Sequence, residues 1–159
     1  IIESKKEGLV DPSRTWVMTG WERHVATARE NNLPYPQRSI RTKDFHYIRN
    51  FKPDRWPAGT TEGGLRDIDD GPTKTYYFEN LRNNDFKVYW DLAFGKRPFE
   101  ELYDVNADPD ELINLAKDPA YRDIVKKLST RMDSVMKATG DKLLSFNACP
   151  RFSTNLIPT

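Results

Sequence analysis

Cysteine occurs once and histidine twice in 159 residues. A lone cysteine excludes an internal disulfide framework, and with two histidines it leaves little for a structural zinc site. No apolar run approaches the roughly 20 residues of a transmembrane helix. Neither a G-x-x-x-x-G-K-[ST] nor a G-x-G-x-x-G loop occurs, so nucleotide binding by those routes has no support. The G-x-S-x-G elbow and the H-E-x-x-H pair are missing too. The histidines and the cysteine assemble no nucleophile, base and orienter. Charge of one sign is also lacking, with 25 Lys+Arg against 24 Asp+Glu. With no nucleic-acid motif and no apolar run, neither nucleic acid nor a membrane is expected as a partner. Apolar residues at 37 % are few for a globular chain, and charged ones at 31 % are many. Aromatics, at 12 %, partly make up the core because each ring buries a large area.

The length suits one ordinary domain. The chain opens on Ile1 and not on Met, which gives the expectation that it is a piece cut from something longer, with no signal peptide directly ahead of it. Residues 1–14 are polar, broken by Gly8 and Pro12, and are expected to be a linker or the end of an upstream element. Thr15-Trp16-Val17-Met18-Thr19 is a short β-type run that Gly20 ends. Leu33-Pro34-Tyr35-Pro36 excludes helix. Strands are predicted over residues 38–42 and 45–51. The second puts Phe45, Tyr47, Arg49 and Phe51 on one face and His46, Ile48 and Asn50 on the other, so His46 reads as structural. Lys43-Asp44 joins the two as a tight hairpin that lacks the usual Gly or Asn. Residues 52–72 hold four Gly and three Pro in 21 positions, a loop of the length that is functional or disordered. A short helix is predicted over residues 75–81. Residues 86–94 suit either helix or strand, and residues 100–105 read as a strand.

Two runs then share one start signal. Asp108-Pro109-Asp110-Glu111 offers an N-cap, a proline at the first helical position and an acid at N3, predicting a short helix to about Ala116. Asp118-Pro119 repeats the signal. Ile124, Val125, Leu128, Met132, Val135 and Met136 follow at helical spacing up to Gly140. One stripe of that helix must lie on the sheet. The predicted class is α+β, a small antiparallel sheet packed by a long C-terminal helix over residues 15–142, with 143–159 an irregular tail.

Charge is unevenly placed. Arg38, Arg41, Lys43, Arg49, Lys52 and Arg55 face only Asp44 and Asp54 in residues 38–55, whereas residues 100–123 carry eight acids and two bases. The basic stretch, interleaved with Phe45, Tyr47, Phe51 and Trp56, is either an anion-binding surface or a solvated hairpin face. Gly20-Trp21-Glu22-Arg23-His24, directly after a strand, brings an acid, a guanidinium and an imidazole together. An imidazole transfers protons near pH 7, and an Arg forks onto sulfate, phosphate or carboxylate. The alternative is a polar loop with an internal salt bridge.

Several segments together resemble a known family. Gly20-Trp21-Glu22-Arg23-His24 is similar to the G-x-E-x-H stretch in the C-terminal part of heparan N-sulfatase (N-sulfoglucosamine sulfohydrolase) and its bacterial relatives. Tyr35-Pro36-Gln37-Arg38-Ser39-Ile40 resembles their Y-P-x-R-S-[IV]. Glu101-Leu102-Tyr103-Asp104, continuing through Asp108-Pro109, Glu111 and Asn114-Leu115-Ala116, is similar to a segment near the C-terminus of many sulfatases. Lys96-Arg97-Pro98 and the run from Arg38 to Pro57 resemble the bacterial members, and the similarity extends in order over about residues 8–141.

The resemblance implies the C-terminal subdomain of an alkaline-phosphatase-like sulfatase, the large α/β catalytic domain lying outside this chain. It implies hydrolysis of sulfate esters or sulfamates on sulfated saccharides of glycosaminoglycan type. It also implies a formylglycine made within C/S-x-P-x-R, and a calcium ion that neutralises sulfate oxygens. That signature is not in this sequence. In Cys149-Pro150-Arg151 the proline follows the Cys directly, and Val10, ahead of Pro12-Ser13-Arg14, has nothing to oxidise. The nucleophile and the calcium ligands are therefore expected upstream of Ile1, and this piece alone is expected to be inactive. Glu22 and His24 are the implied substrate-recognition residues, with Arg23 and Arg38 as further candidates. The expected partners are the sulfated saccharide and the catalytic domain, in the periplasm, outside the cell or in a lysosome. Two other readings stay open: a non-catalytic module for anionic polysaccharide, and a phosphatase or phosphodiesterase of the same superfamily.

Overall fold

The computed structural model describes residues 5–8, 10–25, 29–80 and 83–146. Of Glu30, Ser145 and Phe146 it describes the backbone alone. Cys149-Pro150-Arg151, most of the predicted tail, and Leu81 lie outside the described residues.

Among the described residues, four strands form one antiparallel sheet in the order β1-β2-β3-β4: β1 (Trp16–Trp21), β2 (Gln37–Thr42), β3 (Phe45–Asn50) and β4 (Glu100–Asp104). Alternation sets the register. Met18, Ile40, Tyr47 and Leu102 stand opposite one another across all four strands, and the last three are fully buried. A slip of one residue would turn that row to the other face. The turn at Lys43-Asp44 closes without glycine because the Thr42 hydroxyl accepts from the Phe45 N–H (2.9 Å) and donates to the Phe45 carbonyl (3.0 Å). β1 runs two residues past its predicted end, through Gly20 to Trp21.

Helix α3 (Arg122–Ala138) lies on β2 and β3. Its start is the predicted one. Asp118 accepts from the Ala120 N–H at 2.8 Å, and one 3-10 turn from Pro119 leads into the helix. Leu128, Met132 and Met136 are buried on Ile40, Tyr47, Phe51 and Leu102, each contributing about 1.5–3 kcal/mol relative to exposure. The end is a Schellman motif. Gly140 takes φ +65°, its N–H reaches the Lys137 carbonyl (3.3 Å), and the Asp141 N–H reaches the Met136 carbonyl (2.9 Å). The irregular tail expected from residue 143 instead starts inside a 3-10 segment (Lys142–Phe146), whose Leu143 enters the core. The α+β class is the one predicted.

Among the described residues, two α-helices stand outside this core. Helix α1 (Pro72–Glu79) starts on its proline, three residues before the predicted start, and helix α2 (Lys87–Phe94) settles the open choice for residues 86–94. Neither has a fully buried residue. Their rings pack on one another, as Tyr77 does on Phe86 (4.9 Å) and Phe94 (5.1 Å) and Trp90 on Phe94 (4.8 Å).

The helix predicted over residues 108–116 does not form. Asp108 instead accepts from the Ile113 N–H at 2.7 Å, and Glu111 sits at φ +55°, outside the helical region. The segment closes the outer edge of β4: Asn114 accepts from the Leu102 N–H (3.0 Å) and the Leu115 N–H donates to the Leu102 carbonyl (2.8 Å).

Candidate functional site

Where β1 ends, the chain turns so that Glu22 faces β2, and the Tyr35 N–H ties its carbonyl at 2.7 Å. Gly20 is the register partner of Arg38. A Cβ on Gly20 would lie 2.9 Å from Arg38 Cδ, so the missing side chain is the space through which Arg38 passes. Arg38 forks onto two acids from different parts of the chain. Its Nε donates to Asp141 Oδ2 (2.7 Å), and its Nη2 to Asp141 Oδ1 (3.3 Å) and Glu22 Oε1 (3.0 Å). The Schellman turn that ends α3 is what brings Asp141 there.

Burial opposes the Arg38 charge, but the hydrogen bonds with Asp141 and Glu22 outweigh it and hold the guanidinium above its ordinary pKa. Burial likewise pushes the Asp141 carboxyl up, while the Arg38 hydrogen bonds and the Leu143 N–H (3.0 Å) hold it below the usual range. Arg38 and Asp141 are therefore both charged near neutrality. With Glu22 they line a cleft of about 520 Å³, within the size range of small-ligand sites. Pro34, Pro36, Phe51 and Leu143 supply apolar lining, and Lys52, Arg55 and Lys142 add positive charge.

His24 and Arg23 have other partners. His24 Nε2 lies 3.4 Å from Asp69 Oδ1 with both side chains exposed. Arg23 donates to the Asn32 carbonyl (2.9 Å) and side-chain oxygen (2.5 Å). Of the four predicted site residues, the structure joins Glu22 to Arg38 directly, holds His24 over the loop of residues 52–71, and uses Arg23 to fasten a turn.

Beneath His24 lies an ion pair that the sequence did not reveal. Asp67, with a fully buried side chain, accepts from the backbone N–H groups of His24 and Val25 (both 2.9 Å) and from Arg29 Nε (2.7 Å). The Arg29 guanidinium also reaches the Trp56 and Pro57 carbonyls and lies 5.6 Å from the Trp21 ring centre. Asp141 was missed as well, although its place directly after the helix-ending Gly140 is a usable signal. The basic stretch divides. Arg38, Arg41 and Arg49 are paired with Asp141, Glu111 and Asp133, while Lys52 and Arg55 have no carboxylate partner among the described residues. His46 is tied at 2.8 Å to Glu111, which burial pushes up and His46 and Arg41 together hold below its ordinary pKa.

These elements define an α+β lobe presenting a cleft lined by charged and apolar side chains. No family model matches the chain. It is 37 % identical over 113 residues to an ulvan-active sulfatase of Formosa agariphila, covering 71 % of this chain and 20 % of that protein. A second ulvan-active sulfatase of the same organism is 33 % identical over 124 residues, covering 74 % and 19 %. Among solved structures, a 2-O GAG sulfatase aligns with a TM-score of 0.47 at 20 % identity, covering 83 % of this chain and 18 % of that one. Over most of its own length the chain is similar to sulfatases, and it spans about a fifth of the length of the two it matches.

Proposed function

We propose that this chain is the C-terminal, substrate-facing lobe of a sulfuric ester or sulfamate hydrolase that acts on sulfated saccharides. The observation that carries this reading is the 37 % identity to an ulvan-active sulfatase over 113 residues, which takes in most of the lobe. Within it, Glu22 is the main recognition residue. One of its oxygens is held by Arg38, and the side chain is 45 % exposed, so the carboxylate is preoriented and open to a sugar hydroxyl. Arg38 fixes that orientation. His24 is held by its backbone on Asp67 and presents an imidazole able to donate to a sugar or sulfate oxygen. Arg23 supports the same loop.

Among the described residues, no group of three or more His, Cys, Asp or Glu could hold a metal ion. These residues therefore do not fit a calcium site. The nucleophile and metal are assigned to the remainder of a longer polypeptide. Such an enzyme meets a polymeric substrate outside the cytoplasm, in the periplasm or the medium. No helix among the described residues is long and apolar enough to cross a membrane.

The test is inorganic sulfate release by the full-length gene product from ulvan, heparan sulfate and their desulfated forms. Release from a sulfated polymer is expected, with Glu22→Gln and His24→Ala each lowering kcat/KM by about tenfold to a hundredfold. Full activity in both variants would remove the two residues from the site. Phosphate release from a monoester or diester, without sulfate release, would favour the sibling hydrolase reading instead.

A further inference from the structure

The cleft's cations differ in how their charge is used. Arg38 is saturated by Glu22 and Asp141, so it has little left to offer an anion. Lys52, by contrast, makes no ion pair among the described residues, and Arg55 is fastened by one donor to the Pro34 carbonyl at 2.6 Å. An Arg carries five donors, so Arg55 is held in place with most of its fork unspent. With Arg38 balanced by Glu22 and Asp141, Lys52 and Arg55 are the lining cations without a carboxylate partner among the described residues.

We propose that this cleft is a subsite for an oxyanion-bearing sugar residue, with Lys52 and Arg55 as its cationic contacts and Glu22 as acceptor for its hydroxyls. The inference rests on the sulfatase reading and adds to it the residues that sense the saccharide's charge. Three features suit a sugar over a bare ion. A volume of about 520 Å³ admits a ring and its substituents. Pro34, Pro36 and Phe51 offer apolar surface to the C–H face of a pyranose. The Glu22 carboxylate would repel a small anion placed near it but accepts hydroxyl donors. The shared ligand chemistry is an oxyanion on the ring, whether a sulfate ester or a uronate carboxylate.

The experiment is affinity electrophoresis of the full-length protein through gels containing ulvan or heparan sulfate, each also desulfated or carboxyl-reduced. Sulfate release is measured on the same samples. Wild-type protein should be retarded, and Lys52→Ala should weaken retardation by about tenfold, as expected for losing one charge-assisted contact. Lys52→Arg should restore it, and Lys126→Ala on the exposed face of α3 should leave it unchanged. Arg55→Lys gives an independent second variant, expected to weaken binding while keeping the charge, because an ammonium cannot fork. The polymer whose desulfation or carboxyl reduction mimics Lys52→Ala identifies the oxyanion. Equal retardation of Lys52→Ala and wild type overturns the subsite, as does wild-type protein that no polymer retards. Retained sulfate release with equal retardation sinks the subsite alone. Loss of retardation in a protein that releases no sulfate sinks the sulfatase reading and leaves the subsite.

Discussion

Individual side chains here are held by acids and bases far apart in the sequence. Asp67 is the clearest case, since its buried carboxylate takes two backbone N–H groups beside His24 and the Arg29 guanidinium together. Removing it leaves Arg29, whose side chain is 6 % exposed, as an uncompensated buried charge. Asp67→Ala is therefore expected to destabilise the lobe by about 3–5 kcal/mol, read from denaturant midpoints. The double variant Arg29→Met, Asp67→Leu should recover much of that loss, because it removes both charges. A double variant no more stable than Asp67→Ala would mean that the backbone contacts, not the charge pair, carry the effect.

Elements show where local sequence suffices and where it does not. The strands over residues 38–42 and 45–51 and the long helix were legible, because alternation, helical spacing and the Asp118-Pro119 cap each act within a few residues. The same cap grammar failed at Asp108-Pro109. Glu111 is drawn to φ +55° by pairing with Arg41 and His46 on the sheet, and no local pattern records that pull. The site divides in the same way. Glu22 and Arg38 stood out by residue type, but the fork from Arg38 to Asp141 spans 103 positions. The Arg29–Asp67 pair had no signal at all. The terminus of α3 decides where Asp141 lies, so its glycine matters beyond the helix. Gly140→Ala should cost about 1 kcal/mol through the left-handed backbone. Gly140→Asn should cost less, because Asn tolerates that conformation. Thermal unfolding of the two variants distinguishes this backbone origin from a steric one, since a Cβ at this position would meet no neighbour within 4 Å among the described residues.

At the scale of the whole molecule, opposite charges that are separate in sequence meet in space. Arg38, Arg41 and Arg49 of the basic hairpin are paired with Asp141, Glu111 and Asp133, while Lys52 and Arg55, with no carboxylate partner among the described residues, line one cleft. The sheet is sequential in its strand order, yet β4 reaches β3 only after the whole of residues 51–99.

That excursion has a kinetic consequence. The β2–β3 hairpin closes over two residues and forms on a scale of microseconds, while β4 must first close a loop of many tens of residues. The hairpin should therefore be structured in the folding transition state and β4 should join after it. Ile40→Val is expected to slow refolding, whereas Leu102→Ala should leave refolding nearly unchanged and speed unfolding. Stopped-flow chevrons of the two variants test this order. A slowed folding limb for Leu102→Ala would place the long closure before the barrier, so that the last strand in the chain governs how fast the sheet appears.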